Sequence, residues 1–255
     1  MSTVFQRYAE IYDAIYVNKE YASESAYVSE ILGGLQGKKL LDVGCGTGRY
    51  SEIFATEADY VHGIDMSQEM VDIANLRKSR LRNGLDKKIY YEVGDARTFT
   101  SDKKFDIVCS MFHVINYQTT NEQLDMFFET SFNALNPEGL LIFDFWYGPG
   151  VLSEKPAPRT VEVKTESLEI VRNATPNLRI NENCVDVTYD VKVKYLDSFE
   201  DATNFSETHS MRYLFTPELD FFSRDKFSIE NVYAWRTRTD PSERDWSAVC
   251  VMRRL

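Results

Sequence analysis

The chain has few of the residues that mark metal sites, disulfide frameworks and membrane spans. It has three histidines in 255 residues, and its cysteines form no CxxC pair or Cys/His cluster. They are Cys45, Cys109, Cys184 and Cys250. This wide spacing argues against a zinc site or a disulfide framework and fits a reducing compartment. No apolar run approaches the roughly 18 residues of a membrane span, and the N-terminus lacks a secretion-signal pattern, so we expect a cytoplasmic protein without a metal.

Positive charge is also scarce. The chain has 29 Lys and Arg against 40 Asp and Glu, a formal net charge of −11. A nucleic-acid interface needs clustered basic residues to contact phosphates. The densest basic run is Arg77, Lys78, Arg80 and Arg82, and its spacing is typical of the solvent-facing side of a helix. We therefore expect neither a nucleic acid nor a membrane as partner, whereas a small anionic ligand would need only one or two cations.

Glycine and proline are distributed unevenly along the chain. The first proline is Pro137, no glycine follows Gly150, and turn-forming residues concentrate near residue 148. Before that point, short apolar runs alternate with amphipathic segments, which predicts an α/β fold with a doubly wound, mainly parallel sheet. The predicted strands are 39–43, 60–64, 89–93, 105–110 and 140–145. Helices are expected from about residue 50, over 67–81 with Ser67 as N-cap, and over 121–135.

After residue 158 apolar and polar residues alternate, which is typical of antiparallel strands with one buried face. Strands are predicted at 161–163, 185–195 and 208–215, with turns at Pro176-Asn177 and Asp197-Ser198. A helix with Thr216 as N-cap and Pro217 at its first position should precede two last strands, 229–235 and 247–253. We therefore expect a core over 1–148, an antiparallel insertion over 149–212, and a closing helix and strand pair over 213–255.

The most informative segment is LLDVGCGTGR at 40–49, where three alternate glycines join a strand to a helix. Glycine lets a ligand approach the backbone closely near a helix N-terminus, at the carboxyl edge of the sheet. The spacing is G-x-G-x-G, which differs from the G-x-G-x-x-G of dinucleotide folds. Asp42 lies two residues before the first glycine. A carboxylate there disfavours a pyrophosphate and favours a ligand that carries positive charge.

Two more acids close the next two strands. Asp65 follows Gly48 by 17 residues, and an acid there can accept both hydroxyls of a ribose. Asp95, in Gly94-Asp95-Ala96, could accept the exocyclic amine of an adenine. Each acid has a simpler alternative, since Asp65 could cap the following helix and Asp95 could be a turn residue. Together, the three acids indicate a cationic cofactor that contains adenosine.

The motifs DVGCGTG, GIDMS and GDA resemble those of class I S-adenosylmethionine-dependent methyltransferases. The resemblance covers about residues 5–145 and implies a Rossmann-like, seven-stranded sheet with the antiparallel insertion after its fifth strand. It also implies that Asp42 lies near the methionine amino end, that Asp65 binds the ribose and that Asp95 holds the adenine edge. The other residues that it implies in cofactor binding are Gly44, Cys45, Gly46, Met66 and Ala96.

A narrower resemblance is carried by YAEIYDAIY at 8–16, SMFHVINY at 110–117 and FDFWYGP at 143–149. These segments are similar to small-molecule methyltransferases that N-methylate amino sugars on nucleotide carriers. In that group an N-terminal tyrosine pair closes over the cofactor, which implies this role for Tyr12 or Tyr16. Tyr21 and Met111 are also expected near the cofactor. The alternative is an amphipathic N-terminal helix that only packs on the body.

His113 is the main candidate for handling a proton, because it follows the fourth strand and histidine titrates near neutral pH. Tyr16 is the second catalytic candidate. A purely structural histidine beside Phe112 is the alternative. The predicted acceptor-binding residues are His113, Asp144, Trp146, Tyr147, His209 and Arg212. Trp235 and Trp246 are expected to be packing residues.

These observations predict methyl transfer from S-adenosylmethionine to a nitrogen or oxygen of a small molecule, such as a nucleotide-linked sugar. A sulfonium methyl is already activated, so an in-line displacement needs alignment of donor and acceptor and no metal. One alternative is an NAD-dependent oxidoreductase on the same scaffold. Others are a non-catalytic cofactor-binding subunit and an enzyme that methylates a protein. The insertion could form either the interface of a homodimer or a lid over the substrate.

Overall fold

Two sheets and their flanking helices make up residues 8–196 and 202–255, which are the residues that the computed structural model describes. The strands are β1 (Lys39–Val43), β2 (Tyr60–Asp65), β3 (Ile89–Val93), β4 (Phe105–Ser110), β5 (Leu135–Trp146), β6 (Arg159–Lys164), β7 (Leu168–Arg179), β8 (Cys184–Tyr195), β9 (Thr203–Arg212), β10 (Phe227–Ala234) and β11 (Ser247–Arg254). The α-helices are α1 (Tyr8–Ile15), α2 (Tyr21–Ile31), α3 (Arg49–Phe54), α4 (Gln68–Ser79), α5 (Leu85–Lys88), α6 (Asn121–Ala134), α7 (Gly148–Ser153) and α8 (Thr216–Ser223). Short 3-10 helices lie at Val114–Tyr117 and Ile180–Glu182.

The larger sheet has seven strands in the order β10-β11-β5-β4-β1-β2-β3. The strand β11 runs antiparallel to both neighbours, while the β1, β2, β3, β4 and β5 pairs are parallel. Two apolar clusters are built on the buried strand residues, and helices supply part of each. This arrangement confirms the predicted α/β fold. The strand order reverses between β1 and β4, and ligands of such sheets bind in the crevice at that point.

The four strands of the insertion form a separate antiparallel sheet, in the order β6-β7-β8-β9. It leaves the larger sheet after β5 and returns to it at Leu214, which pairs with Tyr147 in an isolated parallel bridge. The backbone N–H of Gly148 donates to the carbonyl of Leu214 at 2.8 Å, and the N–H of Leu214 donates to that of Trp146 at 2.9 Å. The two ends of the insertion are therefore hydrogen-bonded to each other.

The turn predicted at Pro176-Asn177 is wrong, because both residues lie inside β7, where Pro176 pairs with Val187 of β8. The partner strand β6 pairs with β7 only as far as Ala174. Beyond that point β7 is an edge strand, and an edge tolerates proline because it needs no N–H donor on that side. The chain reverses instead at Asn183, whose φ is +54°. The predicted turn at Asp197-Ser198 lies outside the described residues.

Helix α8 begins differently from the prediction. Its N-cap is Phe215 and Thr216 is the first helical residue, so the predicted N-cap at Thr216 is one residue too late. The Glu218 carboxylate accepts the backbone N–H of Phe215 at 3.0 Å, which is one of the two hydrogen bonds of a capping box. Ser67 caps α4 as expected, since its hydroxyl accepts the N–H of Met70.

Helix α1 lies between the two sheets. Its residues Tyr8, Ile11 and Ile15 form an apolar cluster with residues of β7 and β8. On its other side, Asp13 pairs with Arg77 of α4 and with Arg49 of α3. The helix thus holds the insertion and the core at the same time. Within the described residues no helix combines the length and the apolar character needed to cross a membrane.

Candidate active site

A cavity of about 970 Å³ lies between the carboxyl edge of the parallel strands and the inner face of the insertion sheet. Residues from four parts of the chain line it, and the closing segment contributes Arg244, Trp246 and Ser247. The core contributes Gly44, Gly46, Asp65, Met66, Asp95, Ala96, Met111, Phe112 and His113. The insertion contributes Arg172, Ala174, Pro176, Val187, Tyr189, His209 and Met211, and α1 contributes Tyr8, Tyr12 and Tyr16. The cavity therefore brings together most of the predicted site residues.

The glycine loop after β1 forms part of the cavity wall. Its backbone N–H groups at Gly44 and Cys45 donate to the carbonyl of Ile64 at 2.8 and 2.9 Å. Gly44 has a φ of +74°, and a Cβ there would lie 2.5 Å from Val114, so a side chain would be excluded. At Gly46 a Cβ would meet nothing within 4 Å. The backbone at Gly46 thus faces open space, whereas the backbone at Gly44 packs closely against Val114.

Asp65 is held at the end of β2 by this loop. Its Oδ2 accepts the N–H of Gly46 and its Oδ1 accepts the N–H of Ser67, both at 2.9 Å. Burial raises the pKa of this carboxyl, and the backbone hydrogen bonds oppose the rise. Each carboxylate oxygen can accept a further hydrogen bond, so Asp65 can bind a pair of hydroxyls from the cavity side. Ser67 takes the role of N-cap, which leaves the Asp65 side chain facing the cavity.

Asp95 also lines the cavity, but it has a partner that the sequence did not reveal. Arg97 donates from Nε to Asp95 Oδ1 at 2.8 Å and pairs with Oδ2 through Nη2 at 2.5 Å. These hydrogen bonds hold the pKa of Asp95 below its usual range. A ligand that meets Asp95 therefore meets a charged pair, and Arg97 joins the candidate site.

Two residues that the family resemblance placed at the cofactor, Asp42 and Cys45, do not line the cavity. Asp42 lies buried beneath the loop, and its Oδ2 accepts the Ser51 hydroxyl at 2.5 Å. Burial raises its pKa to about 7. The Cys45 side chain packs in the core cluster of β1, β2 and β3. Asp42 therefore contacts α3 from outside the cavity lining, and its place near the methionine end of the cofactor stays a prediction.

His113 and Asp144 form a pair at the junction of β4 and β5. The backbone N–H of His113 donates to Asp144 Oδ1 at 2.8 Å, and its Nδ1 lies 2.9 Å from Oδ2. Phe112 and His113 both have φ near +65°, a strained conformation that this double contact holds in place. His113 lines the cavity, but Asp144 lies behind it and does not. Asp144 is therefore placed to orient His113, which differs from the predicted direct contact with the acceptor.

The aromatic residues of α1 cover the core side of the cavity. The Tyr12 and Tyr16 rings are 4.8 Å apart, and Tyr16 meets the Phe112 ring edge-on at 5.1 Å. Tyr21 lies elsewhere, packed against Tyr50 at 5.1 Å and outside the cavity lining. The structure therefore brings two of the three predicted tyrosines to the cavity, and it adds Tyr8.

The predicted acceptor residues divide into two groups. Trp146 and His209 line the cavity, and Tyr117 contacts His209 Nδ1 through its hydroxyl at 2.8 Å. Tyr147 and Arg212 do not line it. Arg212 pairs instead with Glu218 at 2.6 Å, since it lies at the end of β9 beside α8. Of the two tryptophans expected to pack, Trp235 meets the Tyr27 ring, whereas Trp246 lines the cavity beside Trp146.

Arg172 and Tyr189 are cavity residues that the sequence analysis missed. Both lie on strands of the insertion, on the face that also carries Ala174 and Val187. The alternation along β7 and β8 indicates which residues share a face, but not which face meets the cavity. Among the described residues, no group of three or more His, Cys, Asp or Glu side chains is placed to hold a metal ion.

Comparison with known proteins links this geometry to a family. Residues 40–139 match the family described as Methyltransferase domain. The dTDP-3-amino-3,4,6-trideoxy-alpha-D-glucopyranose N,N-dimethyltransferase of Streptomyces venezuelae is 29% identical over 151 residues, which are 58% of this chain and 60% of that protein. The aligned segment is thus shorter than two thirds of that relative.

Solved structures match the whole fold. An S-adenosylmethionine-dependent methyltransferase from Clostridium acetobutylicum has a TM-score of 0.77 and 19% identity, with 98% of each chain covered. The SAM-bound amino pentose methyltransferase CalS10 from Micromonospora echinaspora has a TM-score of 0.72 and 22% identity, over 100% of this chain and 99% of that one. At these identities the likeness concerns the fold. The NAD-dependent oxidoreductase alternative finds no support in these comparisons.

Proposed function

We propose that this chain methylates a small molecule in the cavity. The support is that residues 40–139 match the methyltransferase domain family and that the chain has the fold of S-adenosylmethionine-dependent methyltransferases. The predicted family resemblance and its cofactor, S-adenosylmethionine, are confirmed at the level of the family. The activity of this chain and its acceptor are our proposal. The observation that carries it is the cavity at which the glycine loop, Asp65 and His113 meet, with Asp144 behind His113.

The cavity wall fits the proposed cofactor. When bound, S-adenosylmethionine supplies a methyl group already activated on a sulfonium. The bare backbone at Gly44 and Gly46 would accommodate it, Asp65 would accept the ribose hydroxyls, and Met66 would pack on the adenine. Asp95 with Arg97, and Ala96, would face the adenine edge. Tyr12 and Tyr16 would close over this part of the cavity and exclude water.

His113 is proposed to take the proton that the acceptor nitrogen or oxygen loses. Its Nδ1 lies 2.9 Å from Asp144 Oδ2, which leaves Nε2 as the nitrogen for a ligand. The buried Asp144 fixes the ring orientation. The hydroxyl of Tyr16 accepts a hydrogen bond from Arg172 at 3.1 Å. We therefore assign Tyr16 to closing the cavity and not to transferring a proton.

The acceptor is proposed to be a sugar, in the class of the dTDP-linked amino sugar named for the Streptomyces venezuelae relative. The support is that the insertion side of the cavity is wide and aromatic, with Trp146, Tyr189 and Trp246 in its wall. Flat aromatic faces are suited to stack on sugar rings and bases. A non-catalytic subunit is the competing proposal, and a methyl-transfer assay distinguishes the two.

The test is a pair of measurements on the full chain. Calorimetric titration with S-adenosylmethionine and S-adenosylhomocysteine should show micromolar binding of both. A radiolabelled methyl assay with dTDP-linked amino sugars should then show transfer, and His113→Gln should lower kcat by about 100-fold or more while S-adenosylhomocysteine affinity stays within about twofold. Absence of binding by the wild type would refute the cofactor assignment. Wild-type kcat in His113→Gln would refute the role of His113.

The remaining predictions keep their status as proposals. We propose the division into 1–148, 149–212 and 213–255 as functional units, with the insertion as a substrate lid. A homodimer through the insertion, a cytoplasmic location and the absence of a nucleic-acid partner stay predictions. Light scattering of the purified chain tests the dimer directly.

A further inference from the structure

Arg172 is a buried cation in the cavity wall. It lies on β7, is 7% exposed, and its only acceptors among the described residues are the hydroxyls of Tyr8 and Tyr16. Its guanidinium packs over the rings of Tyr189 at 4.9 Å and Tyr16 at 5.6 Å. Its buried Nε has no hydrogen-bond partner within the described part of the chain. Nine tenths of the side chain are thus removed from water while one donor is left unused.

No carboxylate in residues 8–196 or 202–255 forms an ion pair with Arg172. Glu207, an acid on the same sheet, pairs in register with Tyr189 and lies 3.6 Å from His209. Other arginines with little exposure are paired, such as Arg212 with Glu218. A guanidinium stays charged at any relevant pH, and a buried charge without a counter-ion is costly. The free protein therefore carries this cost at Arg172.

The charges of the cavity are separated by region. The acids Asp65 and Asp95 lie at the core edge, where the cofactor is proposed to bind, and Arg97 there is paired with Asp95. On the opposite side, the exposed residues Lys155 and Arg159 of the insertion and Arg244 of the closing segment line the cavity with the acid Glu154, and the buried Arg172 lies beside them. A chain with a net charge of −11 thus places a surplus of positive charge on the acceptor side of its cavity.

We propose that Arg172 binds an oxyanion, a phosphate or a carboxylate, on the acceptor molecule. The planar fork of a guanidinium matches either group and pairs with it through two donors, one of which the unused Nε supplies. This inference rests on the proposed function, since it names the acceptor's chemistry at the same cavity. It makes Arg172 a specificity residue that favours anionic acceptors over uncharged ones.

A structural role would be the competing explanation, since Arg172 also ties α1 to the insertion through Tyr8. Two variants separate the roles. Arg172→Gln removes both the fork and the contact to α1, whereas Tyr8→Phe removes only a hydroxyl that Arg172 contacts. If Arg172 merely fastens α1, the two variants should behave alike. If it binds an anion, only Arg172→Gln should lose anion affinity.

The experiment measures binding of inorganic pyrophosphate and of succinate to the full chain by calorimetry, at constant ionic strength, with and without S-adenosylhomocysteine. We expect at least one anion to bind the wild type, and the tighter of the two tells phosphate from carboxylate. Arg172→Gln should weaken that binding at least tenfold, and Arg172→Lys should weaken it less because it keeps the charge. Arg179→Gln is the matched control, because Arg179 lies on the same strand but pairs with Glu182 and Asp186 outside the cavity.

Four results would overturn the proposal. The first is that the wild type binds neither anion, and the second is that Arg172→Gln and Arg179→Gln bind the anion equally well. The third is that Tyr8→Phe loses as much anion affinity as Arg172→Gln. The fourth is that Arg172→Gln loses affinity for S-adenosylhomocysteine but not for the anion. The last would place Arg172 on the cofactor. Circular dichroism shows whether each variant folds, and Arg172→Lys serves if Arg172→Gln does not. If S-adenosylhomocysteine does not bind the wild type, the proposed function is refuted. The anion titration in the absence of S-adenosylhomocysteine then still tests the role of Arg172.

Discussion

At the scale of single residues, Asp65 connects the glycine loop, helix α4 and the cavity. Its two oxygens accept backbone N–H groups from Gly46 and Ser67, so its loss removes both the proposed ribose contact and the support of the loop. We predict that Asp65→Ala weakens S-adenosylhomocysteine binding by about 100-fold, since hydrogen bonds to a charged group contribute about 1.5–3 kcal/mol each. Calorimetry measures the affinity.

The control for this prediction is Asp72→Ala, on the exposed face of α4, where the Gln68 side chain is the only donor to Asp72 among the described residues. That variant should bind like the wild type. Both variants should retain a cooperative thermal transition. Wild-type affinity in Asp65→Ala would contradict the assignment of the ribose site.

We predict that Asp42 makes the free energy of unfolding depend on pH. Burial raises its pKa to about 7 in the folded protein, against about 4 in an unfolded chain. Below pH 4 the carboxyl is protonated in both the folded and the unfolded state, so the folded protein bears no cost of burying a charge at Asp42. Between pH 4 and 7 the unfolded chain loses the proton while the folded chain keeps it, so the free energy of unfolding falls as pH rises and stays low above pH 7.

Asp42→Asn should remove this pH dependence while keeping an acceptor for the Ser51 hydroxyl. Each pH unit between the two pKa values corresponds to about 1.4 kcal/mol, so the wild type should lose up to about 3 kcal/mol more than the variant between pH 5 and 8. Urea unfolding at the two pH values measures the difference. Parallel losses in both proteins would show that Asp42 is ionised in the fold.

The sequence predicted some site residues and not others for a definable reason. Asp65 and Asp95 follow parallel strands, and the carboxyl ends of such strands share one edge of the sheet, so their meeting could be predicted. Asp42 also precedes a strand end, but whether its side chain lies above or below the loop depends on packing. Arg172 could not be placed, because the register of β7 and the docking of its sheet are set by contacts distant in sequence.

At the scale of elements, α1 is fastened to the core through one carboxylate. Asp13 Oδ1 accepts the Thr47 hydroxyl at 2.8 Å and the Arg49 Nε–H at 3.3 Å, while its Oδ2 pairs with Arg77. Arg77 also donates to the carbonyl of Thr47 at 3.0 Å. The predicted solvent-facing role of Arg77 is therefore wrong, because its side chain turns back onto the glycine loop.

We predict that Asp13→Asn loosens α1 and speeds cofactor release. The group is partly exposed, so the expected effect is modest, about a threefold to tenfold faster dissociation of S-adenosylhomocysteine. Stopped-flow fluorescence measures the rate, and added salt should speed release in the wild type more than in the variant. Glu20→Gln, which breaks an exposed pair with Arg236, should leave the rate unchanged. An unchanged rate in Asp13→Asn would mean that its pairs do not hold the helix.

The elements of the first half were predictable because each strand is a short apolar run between polar helices. The second half was harder, because Pro176 indicates a turn on local grounds and is tolerated in β7 only where β6 has ended. The N-cap of α8 shows the same limit. Glu218 satisfies the N–H of Phe215, and this contact makes an apolar residue an adequate cap.

At the scale of the whole molecule, two of the three tryptophans lie in the cavity wall and the third does not. Trp146 and Trp246 line it with ring centres 5.5 Å apart, and Trp235 packs against Tyr27 outside it. We predict that dTDP, with S-adenosylhomocysteine present, changes tryptophan emission, and that Trp235→Phe keeps the change. Trp246→Phe should lose most of it. Loss of the signal in Trp235→Phe and its retention in Trp246→Phe would place the ligand elsewhere.

The insertion begins and ends at neighbouring points of the larger sheet, where Gly148 and Leu214 are joined by a backbone hydrogen bond of 2.8 Å. A segment whose two ends lie side by side can be replaced by another segment without distorting the sheet to which it is attached. Chimeras that carry the insertion of another protein with this fold should therefore keep their affinity for S-adenosylhomocysteine and differ in the proposed acceptor. On the proposed function, replacing this one segment would change the acceptor while the half that binds the methyl donor stays unchanged.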